Sequence, residues 1–145
     1  KPSALQRSLV GEVIKRFEQK GLQLLGIKMI QLTNEILNEH YAHLSDRPFF
    51  QRVKDAMMIT PVIVTFWEGK DAINVVRAMT GSTNGRNAAP GTIRGDFSMS
   101  VQENIVHTSD SAENAKEELE RFFDEDEIFT FNYLQMPFLY ANDEI

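Results

Sequence analysis

Apolar positions change period several times along this chain, and each change marks an element. Val10, Val13, Ile14 and Phe17 fall at i, i+3, i+4 and i+7, the spacing that gives a helix one apolar face, and Gly21 is placed to end it. Residues 22–32, LQLLGIKMIQL, read as a strand with Leu22, Leu24, Ile27 and Met29 turned inward. Residues 33–44 read as a short helix capped by Thr33 or Asn34, and 47–58 as another, with Pro48 at an early position and Phe50, Val53 and Met57 on one side. The unbroken apolar run 61–67, PVIVTFW, predicts a buried strand that stops at Glu68-Gly69. A helix over 71–81 follows, with Ala72, Val75, Val76 and Met79 inward and Gly81 closing it.

The pattern then breaks down. Residues 82–95, STNGRNAAPGTIRG, carry three glycines, a proline, two asparagines and two arginines without periodicity, and a loop of that length in a compact domain is usually functional. Residues 96–107 read as extended. A helix over about 110–123 would place Ala112, Ala115, Leu119 and Phe122 inward, with Asp110 and Glu113 at capping-box spacing. The tail, FTFNYLQMPFLYANDEI, is aromatic but aperiodic, which suits packing across the domain or a subunit interface.

The order is helix, strand, helix, helix, strand, helix, loop, strand, helix. One strand placed before Lys1 turns it into β-α-β-β-α-β with extra short helices. That is the α+β, ferredoxin-like plan, with a four-stranded antiparallel sheet carrying helices on one face. The expectation is that such a strand precedes Lys1. No repeat or linker divides the chain, so residues 1–145 are expected to form a single domain.

Composition narrows the function. The 145 residues are 42% hydrophobic and 25% charged, an ordinary soluble balance, and the cytoplasm is the expected location. No run suggests a membrane span. The absence of cysteine excludes disulfides and thiolate metal sites. A net charge of −6 argues against nucleic acid as the main partner, although a local gathering of cations can still hold a small anion.

Chemistry concentrates at 103–119, ENIVHTSDSAENAKEEL. His107 stands between the apolar pair Ile105-Val106 and the polar start of a helix. A histidine there can simply make a backbone hydrogen bond. It can also face a phosphate, because a helix N-terminus offers unpaired N–H groups and a positive dipole end. A neutral imidazole in that place is a nucleophile towards phosphorus. Glu118, eleven residues on, could hold one ring nitrogen if the histidine lies along the helix. Arg77, on the exposed side of its helix, and Arg94, at the end of the long loop, are either solvated charges or phosphate ligands; Arg86 has weaker support. Phosphoryl transfer needs little beyond positioning and charge neutralisation. No P-loop or dinucleotide fingerprint is present. His40 and His43 lack a third ligand at metal spacing, and residues 124–127 read as a solvated acidic face.

Taken together these residues resemble a known family. NIVHTSDSAENAKEE is similar to the active-site signature of nucleoside diphosphate kinases, an N-x-x-H followed by a small residue, S-D and a helix with glutamate. LQRSLVGEVIKRFEQKG, HYAHLSDRPFF and RAMTGSTNGRNAAPGTIRGDF resemble that family's first helix, nucleotide-binding helical hairpin, and arginine helix with its long loop. The resemblance covers nearly the whole chain. It implies ping-pong transfer of the terminal phosphate of ATP or another nucleoside triphosphate to a nucleoside diphosphate, through a phosphohistidine at His107, with Mg²⁺ on the phosphates rather than on protein side chains. It implies that Glu118 orients His107 with help from Ser109. Arg77, Thr83 and Arg94 would hold phosphates, and Tyr41 would line the cleft. Lys1 and Asn104 would bind the sugar, and Phe49 would stack on the base with Val101 on its other side. A homo-oligomer is implied, hexameric or tetrameric. A nucleotide-sensing or interaction protein on the same fold is the alternative. The chain departs from the pattern at Ser3-Ala4, where the family usually has Asp-Gly, at Thr108, where a smaller residue is common, and at Gly85, where many members have proline.

Overall fold

A computed structural model describes residues 1–144. It is an α+β structure. In chain order the elements are α1 (Pro2–Gln6), α2 (Val10–Lys20), β1 (Gln23–Ile30), α3 (Asn34–His40), α4 (Phe50–Met57), β2 (Val62–Glu68), α5 (Ala72–Thr80), α6 (Ile93–Phe97), α7 (Ala112–Phe122) and α8 (Met136–Leu139), with short 3₁₀ turns between some of them. The caps follow side-chain chemistry. Thr33 accepts from the Ile36 N–H at the start of α3, and Gly21 takes the left-handed conformation that closes α2.

β1 and β2 pair antiparallel, Gln23 opposite Glu68 and Ile30 opposite Val62, and they form the one sheet among the described residues. The register slips between Leu24 and Gly26. An extra residue in one strand reverses its alternation. This corrects the inward assignment of Ile27 and Met29: both are exposed, while Leu25 is buried. Gly26 approaches the Phe123 ring too closely to accept a β-carbon without a shift, and Lys28 lies over the same ring, paired with Glu127.

The stretch 96–107, expected to be extended, is also corrected. Its first residues belong to α6, and the remainder runs to His107 without a ladder. A cleft of about 270 Å³ lies between β2 and residues 105–107. Six consecutive β2 residues, Val62 to Trp67, line it, as expected of an open strand edge. The four-stranded sheet is therefore not seen among the described residues.

Two apolar clusters flank this region. One joins Ala4, Phe17, Leu22, Ile93, Ile105 and Val106, with Trp67 edge-to-face on Phe17 at 5.3 Å. The other joins Leu32, Leu37, Tyr41 and Val62, with Phe50, Val53 and Phe122 against them. The second packs α3, α4 and α7 against the sheet. The long loop is less open than its composition suggests. Gly85 begins a 3₁₀ turn, its N–H donates to the Ser100 carbonyl at 3.1 Å, and Asp96 accepts from Gly91 and pairs with Arg16. At the start of α7 the cap is Ser111, which accepts from the Asn114 N–H, rather than Asp110, and Ala112 is exposed. Of the tail, Phe129, Phe131, Leu134 and Phe138 are exposed.

Candidate active site

His107 is delivered by strained backbone. Ile105, fully buried, has φ of 72°, a conformation that a β-branched residue adopts at a cost of about 1–3 kcal/mol. Packing holds it there: its side chain fills the first cluster, and its N–H reaches the Ser3 hydroxyl at 3.3 Å. Ser3, one of the departures, thus satisfies a buried donor. After Val106 the chain turns outward, and the His107 side chain is 40% exposed at the mouth of the cleft.

His107 lies alongside α7, as a bond to Glu118 requires. Its Nε2 is 2.7 Å from Glu118 Oε1, and the Ser109 hydroxyl donates to the other carboxylate oxygen. Burial pushes the Glu118 carboxyl up. The His107 hydrogen bond and charge, together with Ser109, outweigh that and hold it well below the usual carboxylate range. Because an ionised carboxylate only accepts, Nε2 carries the proton, and in the neutral ring Nδ1 is the bare nitrogen. Nδ1 makes no hydrogen bond among the described residues. Glu118 is only 18% exposed, so its charge acts in a partly dry setting.

A second group surrounds Asn104. This side chain is 2% exposed and wholly engaged. Its amide donates to the Thr83 and Val101 carbonyls at 2.9 and 2.8 Å, and its Oδ1 accepts from Lys1 Nζ at 2.6 Å. Asn104 therefore ties the long loop to the segment before His107 and aims Lys1. Burial first, then the charge of Arg94, lower the Lys1 ammonium to about 8, against an opposing pull from Glu103. Arg94 is buried too. Its Nη1 donates to the Gly81 carbonyl at 2.8 Å, Nη2 to Val106 at 2.9 Å and Nε to Asn104 at 3.3 Å. It is a cation that also pins three backbone segments, directly behind His107. Its pKa is lowered by burial and then by Arg77, which places the exposed Arg77 guanidinium within electrostatic reach.

The structure thus gathers His107, Glu118 and Ser109 in one cluster, and Lys1, Arg94, Asn104, Thr83 and Val101 in an adjoining one, with Arg77 beside it. Tyr41 is buried under the first cluster, and burial together with the Glu118 charge raises its phenol to about 12. Val101 is exposed, and Phe49, 39% exposed, stands at the start of α4. His40, for which the sequence gives a surface or packing role and no part in the site, is a packing histidine placed against His107. Its side chain is 6% exposed and its ring lies edge-to-face on His107 at 4.6 Å. Its spacing gives no signal of this, because the contact crosses from α3 to the segment before α7.

Donor atoms of His40, His107 and Glu118 lie within 4.8 Å of one another, the one group of its kind among the described residues. It contains a single carboxylate, and the Arg121 guanidinium stands 3.4 Å from His40. A hard dication that favours oxygen ligands would find no cage there.

The family model for nucleoside diphosphate kinase matches residues 1–128. A nucleoside diphosphate kinase of Parabacteroides distasonis is 66% identical over 144 residues, 99% of this chain and 94% of the relative. Nucleoside diphosphate kinase A of Rattus norvegicus is 45% identical over 140 residues, 97% of this chain and 92% of the relative. The solved structure of a halophilic nucleoside diphosphate kinase from Halobacterium salinarum in complex with CDP superposes with a TM-score of 0.94 at 37% identity, covering 97% of this chain and 94% of that one. A sequence match that spans most of the chain and a shared fold at this identity lead to one conclusion: the chain belongs to the nucleoside diphosphate kinase family.

Proposed function

We propose that this chain performs its family's transfer of phosphate between nucleotides in two half-reactions, with His107 carrying the phosphoryl group between them. The observation that supports this most directly is the 2.7 Å contact between His107 Nε2 and Glu118, which leaves Nδ1 as the bare nitrogen of a side chain that is 40% exposed. In the first half-reaction Nδ1 attacks the terminal phosphorus of ATP or another nucleoside triphosphate. An N–P bond forms, the bond to the bridging oxygen breaks, and the diphosphate departs with the electron pair. The ring becomes cationic, and Glu118, already ionised, stabilises it without moving a proton. In the second half-reaction a terminal oxygen of another nucleoside diphosphate attacks the same phosphorus and the N–P bond breaks.

Positioning supplies most of the remaining catalysis in phosphoryl transfer. Arg94 and Arg77 would neutralise the phosphates, with Thr83 beside them. Lys1, aimed by Asn104, would reach the sugar and phosphates. Phe49 and Val101 would sandwich the base, and Tyr41 would form the wall below. Stacking accepts any base, since every base has a π face, so broad base tolerance is expected. The family works with a divalent cation. The one group of possible metal ligands among the described residues has a single carboxylate, so Mg²⁺ would be held by the substrate phosphates.

The same reading includes a single domain in the cytoplasm and a four-stranded ferredoxin-like sheet, with the apolar cleft along the open edge of β2 as the seat of a further strand. It also includes a homo-oligomer, hexameric or tetrameric, supported by the exposed aromatic side chains of the tail. The deciding experiment is brief incubation with ATP labelled on its terminal phosphate. A phosphoenzyme labile to acid and stable to base, absent from His107→Ala, is expected. An acid-stable label at Ser109 or Ser111 would defeat the assignment.

A further inference from the structure

We propose that His40 is a positioning residue whose imidazole keeps Arg121 away from Glu118, so that the carboxylate stays on His107. This rests on the reading of His107 as the phosphate carrier. Glu118 and Arg121 are three apart on α7, a spacing at which opposite charges normally pair. Here they do not. Arg121 turns away, its Nε donating to Glu39 Oε1 at 2.8 Å and its Nη1 standing 3.4 Å from His40 Nδ1. His40 Nδ1 is in turn 3.8 Å from Glu118 Oε1. The imidazole is interposed between the two charges.

The chemistry of the donors fixes its form. A guanidinium only donates, so Nδ1 of His40 is the bare acceptor and the proton sits on Nε2. That Nδ1 cannot also donate to Glu118, and the 3.8 Å separation is a spacing rather than a bond. The ring is held in place by edge-to-face packing on His107 at 4.6 Å, Tyr41 at 4.7 Å and Phe122 at 5.4 Å.

Arg121 has reason to move if the ring is removed. Its present partner, Glu39, is 64% exposed, and such a surface pair is weak. Glu118 is far less exposed and carries a full negative charge, so it is the stronger attractor. Once paired with Arg121, the carboxylate would leave His107 Nε2, and the nucleophile would lose both its orientation and its counter-charge.

The test compares wild type, H40A, R121Q and H40A/R121Q for kcat, KM, rate of phosphoenzyme formation and Tm. Failure of the wild type to form an acid-labile phosphoenzyme would strike the His107 reading itself; with that species present, the variants judge the role of His40 alone. R121Q is expected within about twofold of wild type. H40A should lose at least tenfold in kcat with KM changed less than threefold, and H40A/R121Q should regain most of the loss. H40A at wild-type activity, or a double variant as slow as H40A, overturns the proposal, because simple packing damage would not be repaired by deleting a neighbouring charge. Should H40A fail to fold, imidazole ¹⁵N spectra of the unaltered protein decide: His40 neutral with its proton on Nε2 supports the proposal, and a proton on Nδ1 at neutral pH ends it.

Discussion

Glu118 holds His107 by Nε2 at 2.7 Å and is itself held by the Ser109 hydroxyl, so one carboxylate sets both the tautomer and the direction of the imidazole. Replacing it by glutamine keeps an acceptor and removes the charge. A hydrogen bond to a charged group is worth about 1.5–3 kcal/mol, so Glu118→Gln should lower kcat by about tenfold to a hundredfold. Steady-state kinetics with two nucleotide pairs measures this, and an unchanged kcat would remove Glu118 from the mechanism.

Stability should fall on acidification in two overlapping stages. Burial, then repulsion from His107, holds His40 down at about 4, so the unfolded chain takes up this proton first. Its contribution is complete above the unfolded value of about 6.5 and is lost as pH falls towards 4. At about 1.4 kcal/mol per pKa unit, the amount at stake is on the order of 3 kcal/mol. Glu118, depressed in the fold, contributes above the ordinary carboxylate pKa, and that contribution is lost at still lower pH. Thermal melts of His40→Phe between pH 7 and 4 should show a flatter decline than wild type. Parallel curves would mean that His40 titrates normally.

Arg94 should matter to the fold as well as to turnover. Its contacts to the Asn104 and Val106 carbonyls are buried and that to Gly81 partly so, and removing it strands them. Arg94→Ala is expected to cost about 3 kcal/mol in stability, together with a loss of kcat larger than the unfolded fraction explains. Arg94→Lys keeps the charge but not the three-way bridge, and should melt early while retaining part of the phosphate affinity. Denaturation and kinetics on the same preparations separate these effects.

Phe49→Ala should weaken adenine, guanine and pyrimidine nucleotides by a similar factor, about 1–3 kcal/mol, the usual value of one stacked base. Dissociation constants from calorimetry would show it. An effect confined to one base would replace stacking with specific recognition.

Gly85 has its N–H on the Ser100 carbonyl, and a β-carbon there would collide with the Ser98 backbone. Gly85→Ala should therefore cost about 1–3 kcal/mol, as overpacking does, and Gly85→Pro should cost more because it also removes the donor. A melting temperature equal to that of wild type would show that the loop can re-route.

The elements built on local chemistry were legible in advance. The period of Val10 to Phe17, the run at 61–67 and the glycines at 21 and 81 each report on their immediate neighbours, and the structure has the corresponding helices and strand. His107 could be singled out because a histidine before a polar helix start is a local pattern, whereas its pairing with Glu118 was implied by the family resemblance and depended on the chain before α7 lying alongside that helix. What the pattern could not hold was anything set by a distant partner. The bulge near Leu24 turned Ile27 and Met29 outward, because alternation is reset by one residue that periodicity does not mark. Residues 98–107 formed no strand, since a strand exists only where a neighbour can share its hydrogen bonds. His40 acquired its place beside His107, and Arg94 its three carbonyls, only when α3, α7 and the long loop met. Sequence by itself determined which residues could carry charge and chemistry. Tertiary packing decided which of them face one another, because contacts between remote segments are won by burial and hydrogen-bond satisfaction over the whole domain rather than by any local preference.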